Sequence, residues 1–293
     1  MKPKGTLLLI GGAEDKGDGN APDMDGKNKD FQHFEILKEM LPDGSRKKKI
    51  EIITTASSIP DEMNTAYKQA FKKIGFHNTD FIKIETKLEA RDPDYCKRVE
   101  EAHAVLFTGG DQFTLSAILG GTEIIGAIKD KYANDKNFVI AGTSAGAMVM
   151  SKIMIYEGGV NEALLKDDLR ITSGLGIFDT CIVDTHFIKR GRFGRLTNAV
   201  IMNPESLGVG LGEDTVFVVK NGFDAECKGS GSITIIDGRE IGQTNITDAD
   251  RDMPIFVENL KVHLLASGCR FSIKDRKMPM PAMRRSKEKV RVN

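Results

Sequence analysis

Short apolar runs that stop at a glycine or a polar turn, with amphipathic segments between them, constrain this chain more than any other feature. The runs fall at 6–10, 50–54, 81–84, 104–107, 138–141 and 181–184. Between them, Phe34, Leu37, Met40 and Leu41, then Tyr67, Phe71 and Ile74, recur at helical spacing. Continuous apolar strands alternating with helices call for a mostly parallel sheet covered by helices on both faces, an α/β fold. After residue 205 the pattern changes. Runs at 207–211, 216–219 and 232–236 are separated by glycine-rich turns, so the C-terminal part is expected to be rich in β-structure. With no internal repeat and no Pro/Ser-rich linker, the expectation is one α/β domain over 1–270 and a basic tail over 271–293. The polar, glycine-rich stretch 13–30 reads as a long surface loop.

Composition matters here for what it excludes. The 293 residues carry 42 Lys+Arg against 42 Asp+Glu, so no global field favours nucleic acid or an anionic membrane. Cys96, Cys181, Cys227 and Cys269 form no CxxC pair, which argues for free thiols and against a metal cage. The apolar run Leu7 to Ile10 is too short for a signal-peptide core or a membrane span, and a cytoplasmic setting is expected.

The glycines then mark a working edge. Gly11-Gly12 follows the first run, Gly109-Gly110 the fourth and Gly142 the fifth. Carboxyl ends of parallel strands share one edge, where ligands bind. Gly142-Thr143-Ser144-Ala145-Gly146 fits G-x-S-x-G between an apolar strand and an apolar helical segment, the setting that forces a serine into an exposed, strained turn. Ser144 is therefore the candidate nucleophile. The N–H groups of Ala145 and of Gly110 are the candidate oxyanion donors.

Five histidines are available as the base. His33 and His77 lie in the N-terminal half, His103 precedes a strand, and His263 follows an apolar run near the C-terminus. His186 ends the run CIVD, which brings it to the same edge as Ser144, against the plainer reading of a structural histidine. The orienting carboxylate is expected at Glu213, with Asp214 adjacent and not separated from it by spacing. The order Ser…His…acid differs from the Ser…acid…His order of α/β-hydrolases, which here would need His263.

Taken together, Gly11-Gly12-Ala13-Glu14-Asp15-Lys16, Thr108-Gly109-Gly110-Asp111-Gln112, the Ser144 segment, His186-Phe187 with Arg190 to Leu196, and Gly210-Leu211-Gly212-Glu213 resemble cyanophycinase. That is a serine-peptidase family related to aspartyl dipeptidases, with a class I glutamine-amidotransferase-like fold. The resemblance implies hydrolysis of cyanophycin, a poly-aspartate bearing arginine on each β-carboxyl, into β-aspartyl-arginine dipeptides. It also implies a homodimer and a chemistry without cofactor or metal. It carries the nucleophile, base and acid roles to Ser144, His186 and Glu213. Gln112, Asp184, Arg190, Arg192 and Arg195 match positions that line the family's pocket, and guanidinium groups suit a carboxylate-rich substrate. Thr185 departs from the family, where glutamine commonly precedes the histidine, and this alters one pocket contact. A paralogue acting on small aspartyl or isoaspartyl peptides is the second reading, and a non-catalytic binding protein of the same fold the third.

Overall fold

A computed structural model describes residues 2–17, 31–41, 48–159 and 163–279. Strands β1 (Thr6–Ile10), β2 (Ile50–Ile53), β3 (Thr79–Ile82), β4 (Ala104–Phe107) and β5 (Val139–Thr143) form a parallel block in the order β1-β5-β4-β2-β3. The last four residues of β1 show why the run is continuous. Leu7 and Leu9 belong to one buried cluster and Leu8 and Ile10 to another, because successive side chains point to opposite faces and both faces are covered. One face carries α1 (Glu35–Lys38) and α2 (Pro60–Lys73), the latter through Tyr67, Ala70 and Phe71. The other carries α3 (Pro93–Glu101), α4 (Gln112–Leu119), α5 (Glu123–Asn134) and α6 (Ala145–Met148). Glu51, with no exposed surface on β2, is held by the Arg98 guanidinium of α3 in a two-pronged contact of 3.1 and 2.5 Å.

A hairpin of β6 (Ile153–Gly158) and β7 (Leu169–Ser173) follows, then β8 (Cys181–Asp184), α7 (Phe193–Met202) and β9 (Leu207–Leu211). β9 pairs parallel with β8 and antiparallel with β12 (Ile233–Asp237), which pairs with β13 (Lys261–Leu265) to make a second, four-stranded sheet. β10 (Thr215–Lys220) returns antiparallel along β1, and β11 (Asp224–Gly229) and β14 (Arg270–Ser272) complete an eight-stranded main sheet. The fold is thus α/β with a large, mostly parallel central sheet, and its last third is rich in β-structure. From β1 the chain travels outward to β2 and β3, then comes back through β4 and β5 to sit beside β1. The carboxyl ends of β1, β5 and β4 are therefore neighbours, with Ile10 opposite Thr143 and Phe107 opposite Gly142. Among the described residues no helix is long and apolar enough to cross a membrane.

Three local expectations differ from what is found. β3 runs two residues earlier than 81–84, because it is an edge strand whose polar Thr79 and Asp80 pair with Ile50 and Glu51 while one side faces solvent. Residues 13–17 are not a surface loop. Glu14 and Asp15 are each only 3% exposed, and the rest of the stretch, 18–30, lies outside the described residues. The chain is also still docked beyond residue 270. Arg270–Ser272 is a sheet strand and Phe271 is 1% exposed, because its ring fills the core against Cys227 and Ala225. The basic segment 280–293 lies outside the described residues.

Candidate active site

β5 ends at Thr143 and α6 starts at Ala145, so the whole reversal from strand to helix is made by Ser144 at φ 52°, ψ −118°. A side chain pays roughly 1–3 kcal/mol to stay in such a region and stays only where its surroundings hold it. They do so here through tight backbone packing. A Cβ on Gly142 would come within 2.2 Å of the Gly146 carbonyl oxygen, and one on Gly146 within 2.2 Å of the Phe107 carbonyl oxygen. The turn after β4 lies alongside: a Cβ on Gly109 would stand 3.4 Å from Ser144 Cβ and 3.8 Å from its Oγ. Asp111 N–H is committed to the Ala56 carbonyl at 2.8 Å. Among the described residues, the N–H groups of Gly110 and Ala145 have no such partner.

His186 comes from the end of β8, also at positive φ (49°), and its Nε2 lies 2.9 Å from Ser144 Oγ. Its Nδ1 lies 2.7 Å from Glu213 Oε1. A carboxylate only accepts, so Nδ1 carries the ring proton and Nε2 is left to accept from the serine hydroxyl. Of the two adjacent acids it is Glu213 that reaches the imidazole. Asp214 turns away, its carboxylate accepting from Asp15 N–H at 3.1 Å and Ser230 Oγ at 2.5 Å. The His186 and Glu213 side chains are 13% and 14% exposed, reachable but largely out of water.

The charges around them set the resting state. Burial pushes the His186 imidazole below its ordinary range, Arg190 and Arg192 push the same way, and Glu213 opposes them. The base is thus neutral at physiological pH. Burial alone would raise the Glu213 carboxyl, yet hydrogen bonds from His186 and Lys189 hold it below the usual carboxylate range. Lys189 Nζ sits 3.0 Å from Glu213 Oε2. A serine hydroxyl on a neutral imidazole, oriented by an ionised acid and flanked by free N–H groups, is an arrangement able to perform acyl transfer.

The other expected site residues are placed unevenly. Gln112 Nε2 donates to the Ile155 and Tyr156 carbonyls, both at 3.3 Å, tying α4 to β6. Asp184 has no exposed surface, and its carboxylate is filled by Arg195 (2.5 and 2.6 Å) and Arg192 (3.2 Å). Thr185 is equally buried, and among the described residues its Oγ1 has no hydrogen-bond partner. Arg190 alone of the three arginines is exposed. Sequence reasoning passed over Glu14, Thr143 and Lys189. Two adjacent carboxylates directly after a strand on the working edge were the available signal for the first. Among the described residues, no three His, Cys, Asp or Glu side chains gather in a way that could hold a metal ion.

Comparison with known proteins gives the family. The family model described as Peptidase family S51 matches residues 22–224. A cyanophycinase of Trichormus variabilis is 34% identical over 283 residues, 96% of this chain and 90% of that one. Cyanophycinases of Geminocystis herdmanii and Synechococcus elongatus are 33% and 32% identical over 272 residues, 92% of this chain and 94% and 80% of theirs. Two solved structures share the fold. A peptidase from an acI-B1 Actinobacterium has a TM-score of 0.61 at 20% identity, covering 92% of this chain and 96% of its own. A putative Peptidase E protein from Listeria monocytogenes has a TM-score of 0.51 at 15% identity, covering 78% and 99%. With a family model over more than half its length and relatives above 30% identity along nearly all of it, this chain is a peptidase and belongs to peptidase family S51.

Proposed function

We propose that this peptidase is a serine-type exopeptidase that hydrolyses cyanophycin to β-aspartyl-arginine dipeptides. The contact chain Ser144 Oγ–His186 Nε2–His186 Nδ1–Glu213 at 2.9 and 2.7 Å is the observation that carries the mechanism. Ser144 Oγ attacks the scissile carbonyl carbon while His186 Nε2 takes its proton, and the oxyanion formed is bound by the N–H groups of Gly110 and Ala145. Collapse breaks the C–N bond and His186 returns the proton to the leaving amine. Water, deprotonated by the same imidazole, then releases the acyl group from Ser144. Glu213 keeps the proton on Nδ1 and stabilises the imidazolium.

The substrate reading draws on the cyanophycinase relatives and on the cationic loop beside the base, where Arg190 is open to a carboxylate. The family resemblance also assigns Gln112, Asp184, Thr185, Arg192 and Arg195 to the pocket; Asp184 and Thr185 have no exposed surface, so their part in it is indirect, Asp184 acting by holding Arg192 and Arg195. A cytoplasmic homodimer is the expected setting. Incubation with cyanophycin without added metal, followed by mass identification of products, tests it. Release of β-aspartyl-arginine by wild type and its loss in Ser144→Ala are expected, and unchanged release by that variant would refute the mechanism. One observation favours the paralogue acting on small aspartyl or isoaspartyl peptides: Asp184 already occupies Arg192 and Arg195, which leaves fewer free cations for a polyanionic backbone. A dipeptide panel of Asp-X and β-Asp-X against the polymer separates the two.

A further inference from the structure

The three segments that meet at the site come from distant parts of the chain, and all of them hang from one short stretch. Ser144 N–H donates to the Ile10 carbonyl (3.0 Å), His186 N–H to that of Gly11 (2.9 Å) and Asp214 N–H to that of Gly12 (2.9 Å). Each of these three donors is a non-glycine residue at positive φ, 52°, 49° and 48°. The stretch then turns inward and grips two of the same segments by side chain as well. Asp15 N–H binds the Asp214 carboxylate next to Glu213, and Glu14 Oε2 accepts from Thr143 Oγ1, next to Ser144, at 2.6 Å.

Glu14 is 3% exposed, and a buried carboxylate is costly unless its oxygens are filled. Its second oxygen accepts from Lys16 Nζ at 3.1 Å and from the Tyr67 hydroxyl. Burial pushes its pKa up, but Lys16 and the two hydroxyl donors prevail and hold it below the usual carboxylate range, so it stays ionised and keeps accepting. Among the described residues Glu14 bonds to none of Ser144, His186 and Glu213, and its side chain reaches them through the Thr143 hydroxyl, one residue before the strained serine.

We propose that Glu14 is a positioning residue: its carboxylate locks the Thr143 hydroxyl and thereby holds the Ser144 backbone at the angle that keeps Oγ on His186. This rests on Ser144 being the nucleophile. A buried acid serving stability alone would lower the melting temperature when disturbed and leave the turnover of folded enzyme intact.

The test removes the hydroxyl with little change of shape, in Thr143→Val, and restores it in Thr143→Ser, with Thr143→Ala as a second hydroxyl-free variant should valine disturb folding. Each is assayed for kcat and KM on cyanophycin, for the labelling rate of Ser144 by a fluorophosphonate, and for melting temperature. Loss of a held geometry predicts a fall in kcat of about 10- to 100-fold for valine and alanine, with KM within about twofold. Labelling slows in parallel, and serine returns both to within about threefold of wild type. Wild-type kcat and labelling in folded Thr143→Val, or failure of Thr143→Ser to restore them, would overturn the proposal. If wild type is not labelled at Ser144, or Ser144→Ala still turns over, the nucleophile assignment falls first and this inference falls with it.

Discussion

Gly12 offers the most direct probe of how closely the base is held. It sits at φ +94°, and a Cβ placed on it would stand 2.5 Å from both Cε1 and Nε2 of His186 and 3.2 Å from Nδ1. Ordinary contact begins near 3.4 Å, so in Gly12→Ala the ring must retreat by about 1 Å. The imidazole is caught between Ser144 at 2.9 Å and Glu213 at 2.7 Å, and a shift of that size cannot keep both contacts within hydrogen-bond range. A misplacement of about 1 Å costs on the order of 100-fold in rate, about 2.7 kcal/mol of barrier. The substitution also brings about 1–2 kcal/mol of backbone strain from a positive φ. Gly75→Ala separates the two effects, because Gly75 sits at φ +79° with nothing within 4 Å of an added Cβ. Both variants should lose stability in thermal melts through the backbone strain, Gly12→Ala the more because it also displaces the ring. Only Gly12→Ala should lose kcat, read as dipeptide released per minute from cyanophycin at saturation. If folded Gly12→Ala turns over within threefold of Gly75→Ala, the base is not held as argued.

Two further outcomes follow from the charges and the core. The proposed mechanism needs neutral His186, and burial and the arginines lower its pKa, so the acidic limb of kcat/KM against pH should have its midpoint below the ordinary 6.5. Arg190→Gln removes one source of that depression and should move the limb to higher pH, whatever it does to the plateau; a limb that stays put or moves down contradicts the assignment. Phe271→Ala should cost about 3–5 kcal/mol in urea unfolding, as for a core aromatic, whereas a loosely docked tail would lose well under 1 kcal/mol.

What could be read from the sequence follows burial. Strands covered on both faces follow the apolar runs: Ala104–Phe107 is apolar throughout and Cys181–Asp184 is apolar up to the buried Asp184, and both lie where the runs lie. Strands with one wet face do not. β11 reads Asp-Ala-Glu-Cys-Lys-Gly, with Ala225, Cys227 and Gly229 inward and charged residues between them, and short polar alternation of that kind resembles a turn-rich loop. In the hairpin β6–β7, β7 is mixed in the same way (Leu-Arg-Ile-Thr-Ser), whereas β6 opens on four apolar residues, Ile153 to Tyr156, and was passed over despite them. At the site, a parallel sheet converts strand termini into one edge, and that located Ser144 at the end of β5; His186 does not share the edge as expected, because β8 belongs to the second sheet, and its N–H instead docks on the Gly11 carbonyl after β1. Spacing could not choose between Glu213 and Asp214, since the choice is made by a turn at Asp214 (φ 48°) that aims one carboxylate at the imidazole and the other at Asp15. Nor could it place Glu14, whose three donors come from Lys16, Tyr67 and Thr143, up to 129 residues away.

The arginines beside the base carry a structural task that their residue type alone does not announce. Three guanidinium groups near a base suggest carboxylate recognition, yet two of them close on Asp184, the residue two before His186. Arg192 lies in the loop after His186 and also donates to the Thr185 carbonyl at 2.7 Å, while Arg195 reaches back from the first turn of α7. The clasp therefore spans the loop that carries the imidazole and fixes both of its ends. A buried ion pair adds little net stability over a packed apolar core, so directional hold on the loop is the better account of what this one contributes. The cations do a second thing from the same places. Burial, with Arg195 and Arg190 close by, brings the Arg192 guanidinium down to about 10 against the pull of Asp184, so it stays charged at neutral pH. Burial is the main reason that the His186 imidazole stays unprotonated, and Arg190 and Arg192 add to it by raising the potential there. The loop thus holds the imidazole in place and in the form that accepts a proton, and Arg190, its exposed member, is the one left free for the proposed contact with substrate.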